Sequence, residues 1–237
     1  MSTPRNEFGQ PIGPEIPNWT PPGRPARLCL HGSYCRVEPL DLDSHLLHLF
    51  EAFSTADPDW TYLAYGPFKD FSSFRDWAQG TCMGEDPLFY SLIDNGPGTP
   101  SGMASYLRIA PASGTIEVGH IHLGPDLKRS RAATEAMFLM MDYAFSLGYR
   151  RYEWKCNALN APPRDAALRL GFTFEGTWRQ ASLSRGRNRD TCWYSIIDAD
   201  WPRLRAGFQR WLDPDNFDNN GLQRRRLQDY MDPHQEG

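Results

Sequence analysis

Between Gly124-Pro125 and Ala132-Ala133-Thr134-Glu135 the chain reads Asp126-Leu127-Lys128-Arg129-Ser130-Arg131. The residues before this run read as a strand, Thr115–Leu123, and those after it as a helix. A helix start offers backbone N–H groups without intrahelical acceptors and a partial positive charge, so it suits an anion. Lys128, Arg129 and Arg131 add three cations at that end. Cations there oppose the helix dipole unless an anion sits among them. A phosphate or pyrophosphate is the chemistry this segment predicts. Solvated arginines on a helix face would read the same way on charge alone.

The whole chain frames that segment. Its 237 residues carry a net charge of −4, unevenly spread. Residues 1–127 hold 7 basic and 15 acidic side chains, residues 128–190 hold 12 and 6, and residues 191–237 hold 6 and 8. A basic middle in an acidic chain again predicts an anionic ligand. A composition 40% hydrophobic and 23% charged supports a packed core and excludes a fibrous or wholly disordered chain. The apolar run Ala136–Met141 stops at Asp142, far short of the roughly 20 residues a membrane span needs. No secretory signal opens the sequence, so a cytoplasmic protein is expected. Five cysteines without a C-x-x-C pair predict reduced thiols, with neither a disulfide framework nor a metal site.

The elements that must position the basic segment follow from periodicity. Seven prolines in residues 1–27 predict an extended arm, pinned by Ile16 and Trp19. Tyr34–Leu40 reads as a strand, and Leu46, Leu49, Phe50 and Phe53 as one helix face. Asp57–Phe68 is an aromatic loop, followed by a helix capped by Ser72 or Ser73. Leu88–Asp94, Met103–Ile109 and Thr115–Leu123 read as an antiparallel meander. Residues 131–147 carry the clearest helical stripe, from Ala133 through Met137, Met140, Met141 and Ala144 to Leu147, closed by Gly148. Arg151–Asn157 reads as a strand, and Ala161–Leu170 as a helix capped by Asn160. A hairpin turning at Arg185-Gly186-Arg187-Asn188 follows, then a helix from Trp201 to Leu212 and a polar, mobile tail. The expected division is an arm over residues 1–30, a domain over 31–200, and a terminal helix and tail over 201–237. The class is α+β, with a mixed sheet flanked by helices.

The element order, the strand–basic loop–helix and the later Asn160…Leu170-Gly171-Phe172 resemble the GCN5-related N-acetyltransferases over about residues 31–198. Thr134-Glu135-Ala136 resembles the ribosomal-protein-acetyltransferase-like branch. The resemblance implies a mostly antiparallel sheet of about seven strands with an extra C-terminal helix. It also implies acetyl-CoA as co-substrate, without a metal. Pyrophosphate would lie on the loop Lys128-Arg129-Ser130-Arg131-Ala132-Ala133, where Arg131 replaces the family's middle glycine. A positive φ at Arg131 would be strained. The strands Thr115–Leu123 and Arg151–Asn157 would splay, so that the pantetheine arm pairs with the backbone of Ile121 and Leu123. The N–H near Ile121 would stabilise the oxyanion. Asn157 and Asn160 would bond the cofactor.

Transfer to an amine needs a neutral nucleophile and a proton acceptor. Glu117 occupies the position that often carries the base in the family, with His120 and His122 as rivals. Strand alternation separates Glu117 from His120 unless a bulge intervenes. The family's usual proton donor to the thiolate falls on Pro163 or Ala167, which have no proton to give. Trp60, Tyr62 and Tyr65, with nearby acidic residues, would form the acceptor wall and suit a cationic amine. The expected partner is an amine, with neither nucleic acid nor membrane, and the chain a monomer or homodimer. An alternative reading is a catalytically reduced domain that binds CoA as a sensor or interaction module. A nucleic-acid module built on Arg150, Arg151, Arg185, Arg187 and Arg189 is disfavoured by the net negative charge.

Overall fold

The helix after the basic loop spans Arg131–Ser146, and it is the element on which the others are built. Ser130 caps it, its hydroxyl oxygen accepting the Ala133 N–H at 2.9 Å. In the computed structural model, which describes residues 3–54 and 57–232, this helix is α3. It is preceded by Leu30–His31 (β1), Cys35–Pro39 (β2), Leu46–Phe53 (α1), Phe71–Thr81 (α2), Leu88–Asp94 (β3), Pro100–Ala110 (β4) and Thr115–Leu123 (β5). After it come Arg151–Asn157 (β6), Ala161–Arg169 (α4), Thr173–Ser184 (β7), Arg187–Ile197 (β8), Trp201–Leu212 (α5) and Leu227–Met231 (α6).

One eight-stranded sheet runs β1-β2-β3-β4-β5-β6-β8-β7, and every neighbouring pair is antiparallel except β5 and β6. The α+β reading and the mixed sheet hold. The eighth strand is β1, a two-residue edge too short to show a period.

Alternation divides the strands between two cores. Tyr90, Tyr106, Ile116, Val118, Tyr152 and Tyr194 face α3, and α5 packs behind it through Phe138–Phe208 and Phe145–Trp201 ring contacts at 5.2 and 4.8 Å. Phe89 and Met103 point to the other side and meet Leu46, Leu49, Phe53, Phe74 and Ala78 of α1 and α2.

Glu135 ties α3 to the sheet edge. Its buried carboxylate accepts the N–H groups of Ser33, Tyr34 and Cys35 at 2.9, 2.6 and 2.8 Å. Gly32 makes the approach possible, because a Cβ there would stand 2.3 Å from that carboxyl group.

The arm is held by tyrosines of β3, of α3 and of the turn after α3. Tyr149 donates to the Gly23 carbonyl at 3.2 Å, Tyr90 donates to the Ala26 carbonyl at 3.0 Å, and Tyr143 accepts the Ala26 N–H at 2.9 Å. Trp19 pins it as expected, donating to the Gly148 carbonyl at 3.4 Å. Ile16 does not, being 48% exposed.

The segment after α5 corrects the expectation of a mobile tail as far as Asp232. Phe217, Leu227 and Met231 are buried in the main core. Asn216 is buried too, its amide donating to the Trp211 and Arg225 carbonyls and accepting from the Arg225 N–H and the Tyr230 hydroxyl. Residues 1–2 of the arm and 233–237 of the tail lie outside the described residues. Among the described residues no helix is long and apolar enough to cross a membrane, and all five cysteines are free.

Candidate active site

β5 carries a bulge where the chemistry is expected. Gly119 pairs with Ser105 and His122 with Met103, so His120 and Ile121 stand opposite Ala104 alone. His120 takes φ +51°, a left-handed conformation rare for a side chain of its size. The extra residue turns His120 onto the face that Glu117 already occupies. β5 and β6 pair from Thr115↔Arg151 to Val118↔Trp154 and no further. Beyond that point β5 stays with β4 and β6 with β8, so the two strands part.

A cleft of about 410 Å³ lies in and beside that opening. Glu117, His120 and Ile121 line it from β5, and Lys155, Asn157 and Asn160 from β6 and the turn after it. Its outer wall is Tyr62 and Tyr65 on one side and Trp178, Arg189 and Trp193 of the β7–β8 hairpin on the other. The hairpin turns at Arg185-Gly186, both with positive φ, the geometry of a two-residue turn. From that turn Arg185 donates to the carbonyls of Trp60 and Tyr65 at 3.4 and 3.1 Å, so the two walls are joined.

Glu117 is buried, with 4% of its side chain exposed. Arg108 Nε and Lys155 Nζ both reach its Oε2, each at 2.7 Å. Lys155 also faces Glu153 at 3.3 Å and sits 3.2 Å from the centre of the Trp193 ring. Burial, more than any neighbour, lowers the Lys155 pKa. Oε1 faces the side-chain-less Gly119, where a Cβ would stand 3.6 Å away.

His120 Nδ1 lies 3.0 Å from the Tyr65 hydroxyl, and the ring is flanked by Phe89 and Tyr65. Burial first, and the Arg108 charge second, lower its pKa to about 4, so the imidazole is neutral at neutral pH. His122 is held at about 4, chiefly by burial between the Phe53 and Trp60 rings, each 4.1 Å away. Its ring lies in the α1–α2 core and does not line the cleft.

The basic loop is arranged differently from its sequence-based picture. Arg131 is the first residue of α3, and its guanidinium lies 3.9 Å over Tyr34 and 4.8 Å over Phe217. The positive φ of the loop falls on Arg129, at +59°. Lys128 pairs with Asp59 of the aromatic loop. Ala132 and Ala133 are buried in the first turn, and Ser130 is spent on the cap. The loop and Leu123 stand outside the cleft lining, on the continuation of the β5 edge.

Asn157 accepts the Leu159 N–H at 2.9 Å through its side chain. Asn160 sits at the N-cap of α4, yet its side chain makes no capping bond, which leaves the amide to the cleft. Pro163 lines the cleft and Ala167 is buried. Trp60 is a core residue, 3% exposed, and Asp59 is paired with Lys128. The side chain of Asp57 lies outside the described residues.

Sequence reasoning missed Arg108, Lys155, Trp178 and Trp193, and it placed Arg189 only in the disfavoured nucleic-acid module. Alternation along β6 puts Lys155 on the face of Glu153, but only the parallel register with β5 brings that face to Glu117.

Residues 36–173 match the model of the acetyltransferase (GNAT) domain family. The chain belongs to the GNAT acetyltransferases. It is 44% identical to a GCN5-related N-acetyltransferase from Brucella melitensis whose crystal structure superposes with a TM-score of 0.89, covering 91% of this chain and 99% of that one. A GNAT-family protein from Chromobacterium violaceum is 39% identical, with a TM-score of 0.77 over 81% of this chain and 98% of its own. The uncharacterised N-acetyltransferase p20 of Bacillus licheniformis is 28% identical over 62% of this chain and 84% of its own length. The family match makes this chain an N-acetyltransferase.

Proposed function

We propose that the protein moves an acetyl group from acetyl-CoA to a primary amine by direct attack within this cleft. The observation that carries the reading is the end of β5–β6 pairing at Val118↔Trp154, immediately before the bulge. Past that pair the β6-facing edge of β5 has no strand partner among the described residues, and the amides of a pantetheine arm fit such an edge. The loop at the start of α3 supports the same reading, since the N–H groups of a first helical turn lack intrahelical acceptors and Ser130 caps only that of Ala133. Bound there, acetyl-CoA supplies an activated acetyl thioester.

The chain's own groups do the rest. The backbone at Ile121 and Leu123 aligns the donor, and the Ile121 N–H faces the developing negative oxygen. Asn157 and Asn160 hold the arm from the other strand. Lys128 and Arg129 meet the phosphates, with Ser130, Arg131, Ala132 and Ala133 shaping the turn. Glu117 takes the amine proton, directly or through water, at Oε1, while Arg108 and Lys155 hold Oε2. Direct attack needs an amine that arrives largely neutral, because an ammonium has no lone pair. His120, neutral and held by Tyr65, faces the same space and is the second candidate. Tyr62 and Tyr65 bound the acceptor side.

Following thiol release from acetyl-CoA against a panel of amines tests this. Turnover is expected. Stabilisation of the fold by CoA without turnover of any amine would select a binding module instead.

A further inference from the structure

We infer that the acceptor is an amine that also carries an anionic group, a carboxylate or a phosphate, recognised by Arg189 in the wall of the cleft. The inference rests on the acetyl-transfer reading above and names its substrate class.

The charges lining the cleft carry it. Among the described residues its ionised lining is Arg108, Lys155 and Arg189 against a single carboxylate, Glu117. One oxygen of that carboxylate already serves both Arg108 and Lys155. Lys155 is closed in further by Glu153 and by the Trp193 ring. The Arg108 side chain remains 56% exposed beside the pair. Arg189 is half-buried in the wall, and its side chain makes no hydrogen bond or ion pair with another described residue. His120 is neutral and adds no charge.

An ammonium entering this cleft meets three cations and one carboxylate already bridged to two of them, so the charged amine is disfavoured and the neutral form favoured. An anion meets an unpaired guanidinium, whose planar fork suits a carboxylate or phosphate. Trp178 adds a platform. It is 58% exposed and stacks on Trp193 at 4.4 Å, with Lys155 over Trp193 as well. Recognition therefore works through the acceptor's negative group, and the amine is directed at the thioester without a counter-ion of its own.

Initial rates with matched amines test this. Phenylalanine and phenylalaninol phosphate are compared with phenylalaninamide and with a diamine, at fixed acetyl-CoA. The anionic members are expected to exceed phenylalaninamide in kcat/KM by about tenfold or more, the usual size of one charge-assisted contact. Which of the two leads separates carboxylate from phosphate. Arg189→Ala should raise the KM of the anionic acceptor by a similar factor and leave the KM of acetyl-CoA within about twofold. Arg189→Lys should restore part of the loss. Arg189→Glu should shift preference toward the diamine. Equal or better turnover of the amide or diamine by the unaltered enzyme overturns the inference alone. So does a rise in acetyl-CoA KM in Arg189→Ala, which would give the arginine to the cofactor. CoA-induced stabilisation with no amine turned over overturns the acetyl-transfer reading, and this inference with it.

Discussion

Glu117 and His120 share one face of one strand because a single residue is inserted between their pairing positions. Replacing Glu117 by Gln keeps the shape and removes the proton acceptor. Kcat is expected to fall about 10²- to 10³-fold, within the usual range for general acid–base catalysis, with the acetyl-CoA KM within a few-fold. His120→Gln is the control, and a larger kcat loss there moves the proton to the imidazole. A second expectation follows from the two histidines held at about 4. In the unfolded chain they titrate near ~6.5. Between those values the unfolded state binds more protons, so stability falls as pH drops from about 6.5 toward 4. His122→Phe fills the slot between Phe53 and Trp60 and should flatten that fall. A melting temperature that declines as steeply in His122→Phe as in the unaltered protein would show that His122 is not one of the groups responsible.

Among the elements, α3 is the one most firmly tied, and Glu135 is the reason. Glu135→Ala leaves three N–H groups of the β1–β2 turn without their acceptor. A cost of about 3 kcal/mol is expected, which in a chain of this size lowers the melting temperature by roughly 6–12 °C. Thermal unfolding followed by circular dichroism reads it directly. α3 was legible in advance, since its apolar stripe and the closing Gly148 agree, while its Ser130 cap is seen only in the structure. The parting of β5 from β6 was foreseen only through family likeness. No residue between Glu117 and His122 announces a bulge, since Gly119 and His120 are compatible with an unbroken strand. The partners of Glu117 were not legible for another reason. Arg108 and Lys155 lie on different strands, and only the register of three strands brings them to one oxygen.

The two ends of the chain behave differently from one another. Residues 1–24 touch the domain through Trp19, Pro22, Gly23 and Arg24, so their removal leaves Tyr149 without its carbonyl but the core strands intact. A cooperative melt at lower temperature, with CoA binding retained, is expected. Loss of a cooperative transition would show the arm to be integral. Truncation after Leu212 removes Phe217, Leu227 and Met231 from the core and should abolish soluble folding. Those three apolar residues are scattered among polar ones, with no period for a sequence reading to detect. That sparseness is why the segment looked like a tail.

Lys128 of the loop before α3 and Asp59 of the aromatic loop form one ion pair. A phosphate that claims Lys128 must part it from Asp59, and so from the loop that carries Tyr62 and Tyr65. Whatever donor binding does to that loop, acceptor binding must do to the donor in equal measure. The enzyme should therefore show a preferred order of substrate addition, donor before acceptor, visible in product-inhibition patterns. Asp59→Asn should bind CoA about two- to fivefold more tightly, the scale of one partly exposed ion pair. It should also accept its two substrates in either order. Unchanged patterns in that variant would mean that the two loops move independently.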